Sequence, residues 1–258
     1  MWPFTKKKQI EINPAKAFDS VLCIPGNWNS RDELSLLIVA STNGEYLLAG
    51  NILMNAKINR HYSIDFCKRD ERMEEAFKYA GMVNKVTDTF INEIGTHKYV
   101  VYITGTTGSF EEAEHIARAG LAVLKAGGLG IKVETAGKAF EKNQWGDYLE
   151  NFGSASLYEM FVVESIYNKA NNSTYSCGMQ NIGLKDTIIF DEEFQESVKL
   201  IRIFSFYQIE DNPTIQNNQT FNPLINSSIF RISDESNQPY KGDKMFENPF
   251  GMWRLSRL

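Results

Sequence analysis

Residues 98–135 change periodicity twice, and that change constrains the fold more than any other feature of the chain. Tyr99, Val101 and Ile103 interleave with Val100 and Tyr102, which reads as a strand buried on both faces. The turn Gly105-Thr106-Thr107-Gly108-Ser109 follows. Ser109 and Glu112 have capping-box spacing: the hydroxyl takes an orphan N–H of the first turn and the carboxylate reaches back. Ala113, Ile116, Ala117, Gly120, Leu121 and Leu124 then form one helical stripe. Gly127-Gly128 stops the helix, because a left-handed terminal residue is cheapest as glycine. Ile131, Val133 and Thr135 alternate with Lys132 and Glu134 as a second strand. Two strands joined by a helix are expected to run parallel with a right-handed crossover.

The flanking segments predict other elements. Val21-Leu22-Cys23-Ile24, closed by Pro25-Gly26, is a strand, and the apolar run 34–40 leads through Asn43-Gly44 into 45–49 as a tight hairpin. Residues 70–94 carry a helical stripe through Met73, Phe77, Ala80, Val83, Phe90 and Ile94, with Gly81 as its weak point. Tyr158, Phe161, Val162, Ser165 and Ile166 mark another amphipathic helix, and 191–209 a further one that starts acidic. Residues 211–228 read as loop, 229–232 as a late strand, and the apolar end at 248–255 as docked on the body. The fold class is α+β: a mixed sheet with an N-terminal antiparallel hairpin and a βαβ unit, helices packed on it. A single domain is expected over 1–258, with a hairpin segment at about 18–66 and a βαβ segment at about 70–258.

Composition narrows the function classes. A net charge of −5 argues against a nucleic-acid coat, which needs a concentrated basic face. Lys6-Lys7-Lys8 is short and reads as a solvated end. No stretch approaches the ~20 apolar residues of a membrane span, and no secretory h-region is present, so a cytoplasmic protein is expected. The sequons at Asn171, Asn172, Asn218 and Asn226 then read as polar loop chemistry, and the final Ser256-Arg257-Leu258 as a chance likeness to a peroxisomal address. Three widely spaced cysteines, Cys23, Cys67 and Cys177, with His61, His97 and His115, match neither a disulfide frame nor a metal pattern, so no metal and no cofactor are implied.

Seven residues remain as ligand- or partner-binding candidates. Thr106, Thr107 and Ser109 sit at a helix N-terminus, a place where free N–H groups receive anions, although Glu111 and Glu112 compete there and no phosphate-loop lysine follows. Glu134 projects from the face opposite Ile131 and Val133, beside Lys132, and an acid pair drawn from Asp65, Glu134 and Asp147 is one arrangement the spacing leaves open. Cys177 is a nucleophile only if a base or positive field adjoins it, and a buried inert thiol otherwise. Trp145 and Trp253 are either packing residues or partner hot spots. No catalytic residue is assigned.

Several segments resemble a known family: Gly127-Gly128-Leu129-Gly130-Ile131-Lys132-Val133-Glu134, Gly137-Lys138-Ala139, Trp145, Leu157-Tyr158-Glu159-Met160-Phe161-Val162, Tyr175-Ser176-Cys177-Gly178-Met179-Gln180-Asn181-Ile182-Gly183-Leu184-Lys185-Asp186, Thr220-Phe221, and Asn248-Pro249-Phe250-Gly251-Met252-Trp253-Arg254-Leu255. Together they resemble an uncharacterised bacterial family of the domain-of-unknown-function 4261 type, over about residues 99–258. The resemblance implies a cytosolic bacterial protein and carries no established activity, cofactor or catalytic residue. Separately, the opening Trp2-Pro3-Phe4-Thr5-Lys6-Lys7-Lys8 resembles the starts of small bacterial proteins encoded beside secreted toxins. The expectation that follows is a non-enzymatic module that binds a protein, in its sharpest form an immunity protein neutralising a toxin. The alternative is an enzyme or small-ligand binder built on the Gly105-to-Ser109 turn.

Overall fold

A computed structural model describes residues 18–224 and 227–258; Lys6, Lys7, Lys8 and the sequon at Asn226 lie outside them. The elements run β1 (Phe18–Gly26), α1 (Arg31–Ser41), β2 (Tyr46–Ala49), β3 (Ile52–Asn55), β4 (Arg60–Lys68), α2 (Met73–Ala80), α3 (Asp88–Ile94), β5 (Tyr99–Thr107), α4 (Phe110–Lys125), β6 (Gly130–Val133), β7 (Lys138–Glu141), α5 (Lys142–Glu150) and α6 (Ser154–Phe161). They continue with β8 (Val163–Asn168), β9 (Ser173–Cys177), β10 (Asp186–Phe190), α7 (Phe194–Phe206), β11 (Thr220–Phe221), β12 (Phe230–Asp234) and β13 (Met252–Arg257). A 3-10 turn, Met179–Ile182, links β9 to β10, and a π turn, Tyr207–Asp211, ends α7.

Two sheets carry the α+β architecture. The first has the order β2-β3-β4-β5-β1-β6-β7 with every neighbouring pair antiparallel. The N-terminal hairpins and the strand–helix–strand unit therefore share one sheet. β5 and β6 run parallel, as their connection through α4 demands, but they are not neighbours: β1 is inserted between them, antiparallel to both. β4 and β1 stand in the same relation across β5. The second sheet, β11-β12-β13-β10-β9-β8, is mixed, with β10 and β13 its parallel pair. The apolar end of the chain thus docks as a strand, β13.

Period-two alternation assigns the faces of the first sheet. Leu22, Ile24, Val101, Ile103, Ile131 and Val133 join the core under α1 and α4. Cys23 and Val100 face the other way, into a smaller core with Met73, Phe77, Phe90, Ile91 and Ile94 of α2 and α3. In the second sheet, Leu200, Ile201 and Phe204 of α7 bury against Ile189, Phe230, Ile232 and Leu255. Both edges of the first sheet are blunted by side chains. Ser35 donates to the Leu48 carbonyl at 2.9 Å and Asn84 to the Ala139 carbonyl at 2.7 Å, which removes acceptors an intruding strand needs.

Three sequence expectations are corrected. The run 34–40 is helical, not the first arm of a hairpin. Ser30 accepts from the Glu33 amide at 3.1 Å and Glu33 accepts from the Asn29 amide at 2.6 Å, so a Ser-x-x-Glu start outweighs strand propensity. Asn43 and Gly44 do take positive φ, 53° and 76°, but as the stop of α1. The stripe over 70–94 is two helices, because the chain folds back at Gly81, where a Cβ would stand 2.3 Å from Val86 and 2.8 Å from the Phe77 carbonyl. The helix expected through Ile166 ends at Phe161; Val163 to Asn168 pair with β9 instead, and tertiary pairing overrides the local pattern.

Candidate partner-binding cleft

The seven candidate residues separate into two groups. Thr107, Ser109, Trp145, Cys177 and Trp253 belong to packing or to the joint between the sheets. Trp145 is 0 % exposed, and its Nε1 donates to the Ala117 carbonyl at 3.0 Å. Cys177 is buried, and burial raises its thiol pKa, so it is held protonated. Ser109 caps α4 by accepting from the Glu112 amide at 3.2 Å. Trp253 packs in the second core, and the Lys185 ammonium lies 3.6 Å from its ring centroid. Thr107 is buried and sits 2.8 Å from Ser20 Oγ. Thr106 and Glu134 instead occupy the accessible face of the first sheet.

The joint is a polar seam built mostly from residues of β7, α6, β8 and the 3-10 turn after β9. Asn181, on the 3-10 turn, accepts through Oδ1 from Ser20 and from Thr135, the latter at 2.8 Å, and donates through Nδ2 to the Gly178 carbonyl at 2.8 Å. Gln180 donates to the Thr135 carbonyl at 2.9 Å. Lys138, 1 % exposed, donates to the Val162 carbonyl at 3.0 Å, with Glu159 at 3.7 Å. Arg202 pairs with Glu159 and Glu164, and Tyr158 donates to Glu164 at 2.6 Å. Burial lowers the Lys138 ammonium to about 8, the Glu159 charge opposing the shift.

Asp186 is the most consequential acid of the seam. It accepts from Ser176 at 2.9 Å, Asn248 at 2.7 Å and the Met179 amide at 3.3 Å. Complete burial nonetheless raises its carboxyl from 3.8 to about 6. An acid raised on folding contributes stability that is complete below its unfolded value and is lost as pH rises through the folded one. The contribution is about 3 kcal/mol, disappearing between roughly pH 4 and 6. The Asp186 carboxyl carbon is therefore expected to titrate near pH 6 by NMR; a midpoint below about 4 would mean that the three donors outweigh burial.

The accessible face of the first sheet forms the cleft. Register aligns Asp65, Tyr102, Cys23 and Lys132 across β4, β5, β1 and β6. Glu134 follows Lys132 on the same face and pairs with it at 3.0 Å. Thr104 lies one step along, and Thr106, which donates to Asp19 at 3.0 Å, one step further. Arg72, Met73 and Ala76 make a wall, and Met245 also lines the cleft, whose volume is about 530 Å³. Thus Asp65 and Glu134 line one cleft, whereas Asp147 lies exposed on α5 and is not among the lining residues.

The charges in the cleft are mostly internally satisfied. The Arg72 guanidinium beside Asp70 holds that carboxyl down to about 2. Burial raises the Tyr102 phenol, with the Cys23 thiol adding to the shift, and burial likewise raises Cys23. Both stay protonated at neutral pH, so Tyr102 offers a hydrogen-bond donor. Asp65 has no hydrogen bond or ion pair among the described residues, which leaves a free carboxylate on the cleft floor.

Beyond Ala76 the wall becomes apolar and exposed. Tyr79 is one helical turn along α2 and 66 % exposed, followed by Met82 at 69 % and Val83 at 49 %. The helical stripe predicts Val83 in the core; the break at Gly81 leaves it exposed. Gly81 was the available signal, since residues after a helix break leave the buried stripe. The histidines stand on separate elements. His97 Nε2 accepts from the Asp70 amide at 3.2 Å and Nδ1 faces the Ile94 carbonyl at 2.8 Å, which places the proton on Nδ1.

Among the described residues no group of His, Cys, Asp and Glu is placed to hold a metal ion, and no helix is long and apolar enough to cross a membrane. Comparison with protein-family models, with curated proteins and with solved structures finds no match.

Proposed function

We propose that the chain is a non-enzymatic protein-binding module that docks its partner over this cleft and its apolar shoulder. One observation carries the reading: Tyr79, exposed on α2 one turn beyond the cleft-lining Ala76, is followed in the chain by exposed Met82 and Val83, and the cleft itself has a mixed-charge floor. Tyrosine, methionine and arginine are the types enriched where proteins meet, and an aromatic anchor with a polar surround is the usual anatomy of such a contact. Asp65, free of partners, suits a lysine or arginine of the incoming protein. The sharpest form of the proposal is an immunity protein that neutralises a cognate bacterial toxin, and the cytoplasm is the compartment in which such a protein works.

The test compares tagged wild type with Tyr79→Ala and Asp65→Arg in retention from the source bacterium, followed by mass spectrometry. One stoichiometric protein held by wild type and reduced at least tenfold by either exposed-site variant, at unchanged melting temperature, supports the proposal. Equal retention by all three, or no stoichiometric protein at all, overturns it.

A further inference from the structure

A second concavity lies at the end of the first sheet, where β4 finishes and β5 begins. Its volume is about 520 Å³, and three of the residues that line it, Lys68, Arg69 and Lys98, are cations. No carboxylate is among the described residues of that lining, although the chain as a whole has a net charge of −5. Lys68 and Tyr99 are register partners on β4 and β5, so they share a face. Period-two alternation puts Phe66 on that face too, and its ring stacks on Tyr99 with centroids 4.5 Å apart. Asp65 is on the opposite face of β4.

The free polar groups of the lining are donors. Lys98 Nζ donates to Asn29 Oδ1 at 2.9 Å, which orients it, and it has no ion pair among the described residues. The Lys68 ammonium and the Tyr99 hydroxyl have neither a hydrogen bond nor an ion pair among the described residues. The side-chain acceptors are already in use: Asn29 Oδ1 takes Lys98, Thr96 Oγ1 takes the Asn27 amide at 3.1 Å, and His97 Nε2 takes the Asp70 amide. Two ammonium groups and a phenol, beside a third cation, favour an anion. Arg69 narrows its chemistry. Its Nη1 donates to the Gly95 and His97 carbonyls at 2.6 and 2.8 Å, and its Nε and Nη2 are taken by Glu71 at 2.8 and 3.1 Å. The fork that captures a planar carboxylate through two parallel bonds is therefore occupied. Lysines act as point charges, whose donors can spread around the terminal oxygens of a phosphoryl group.

We infer that this concavity binds a small soluble phosphate compound, whose terminal phosphoryl group is held by Lys68 and Lys98. None of the exposed large apolar side chains among the described residues lines it, as insertion into a bilayer surface requires, so the phosphate belongs to a soluble molecule. Tyr79 is on α2 and Asp65 on the other face of β4, so this inference and the protein-binding reading fail independently.

The experiment titrates pyrophosphate and citrate, anions of similar charge at neutral pH, into the full chain and follows backbone amides by NMR. Pyrophosphate is expected to shift Lys68, Lys98 and Tyr99 saturably, with citrate at least about threefold weaker. Lys68→Glu and Lys98→Glu, both at exposed side chains, are each expected to weaken pyrophosphate about tenfold with the melting temperature unchanged. Lys169→Glu, exposed in the loop between β8 and β9, makes the same change in net charge and is expected to leave binding intact. The inference is overturned by absence of a saturable shift at these amides, by citrate binding as tightly as pyrophosphate, or by Lys68→Glu and Lys98→Glu weakening pyrophosphate no more than Lys169→Glu does. Co-sedimentation with phosphatidic acid vesicles, without a response to pyrophosphate, assigns the phosphate to a lipid and overturns the soluble ligand.

Discussion

Trp145→Ala is expected to lower the free energy of unfolding by about 3–5 kcal/mol. The indole lies edge-on to Phe140, with ring centroids 5.2 Å apart, and to Phe161 at 6.1 Å. Its removal deletes both contacts and opens a cavity that α4, α5 and α6 cannot close, because Leu157, Tyr158 and Phe161 are themselves fully packed. Urea denaturation measures it: the midpoint should fall with little change in slope. Trp145→Phe keeps most of the ring volume and should cost about 1–2 kcal/mol. The result also bears on function. A tryptophan that met a ligand would, when truncated, leave stability nearly intact, so a loss below about 1 kcal/mol would contradict its place in the core.

Gly178→Ala is expected to cost about 3 kcal/mol or more, through two effects on one residue. The backbone there has φ 122°, which side chains rarely adopt, and a Cβ would stand 1.9 Å from the Phe161 carbonyl oxygen. Neither obstacle is the end of a flexible side chain. The turn must lift away from α6, and with it Asn181, whose contacts to Ser20 and Thr135 join the two sheets. Thermal unfolding and the yield of soluble protein report the effect. Gly146→Ala is the control: it lies inside α5 with nothing within 4 Å of the added methyl, and should stabilise by about 0.5–1 kcal/mol. Equal behaviour of the two variants would contradict the close approach at Gly178.

Legibility from sequence followed the range of the interaction. The Ser109 cap, the α4 stripe, the Gly127 stop and the Lys132–Glu134 pair were readable because each depends on residues within a few positions. The Ser30–Glu33 cap has the same spacing and the same legibility, yet the unbroken apolar run behind it reads equally as strand, although the segment is the helix α1. Periodicity cannot separate a short buried strand from a short helix; the cap can. Asp65 and Glu134 were nameable as carboxylates but not as neighbours in one cleft. Nothing local says that β1 lies between β5 and β6, and that insertion sets the distance across the cleft floor.

The sequence by itself determined the α+β class, the strand–helix–strand unit and the faces of most elements, since alternation and caps are encoded residue by residue. Tertiary structure alone decided the split pairing, the seam, and which candidates remain accessible. Trp145 and Cys177 carry the same chemical promise in the chain as Tyr79 and Asp65. Burial against partners distant in sequence makes the first two packing residues and leaves the other two facing solvent. Exposure is a property of long-range contacts, and those form only when strands more than a hundred residues apart, such as β1 and β6, are brought side by side.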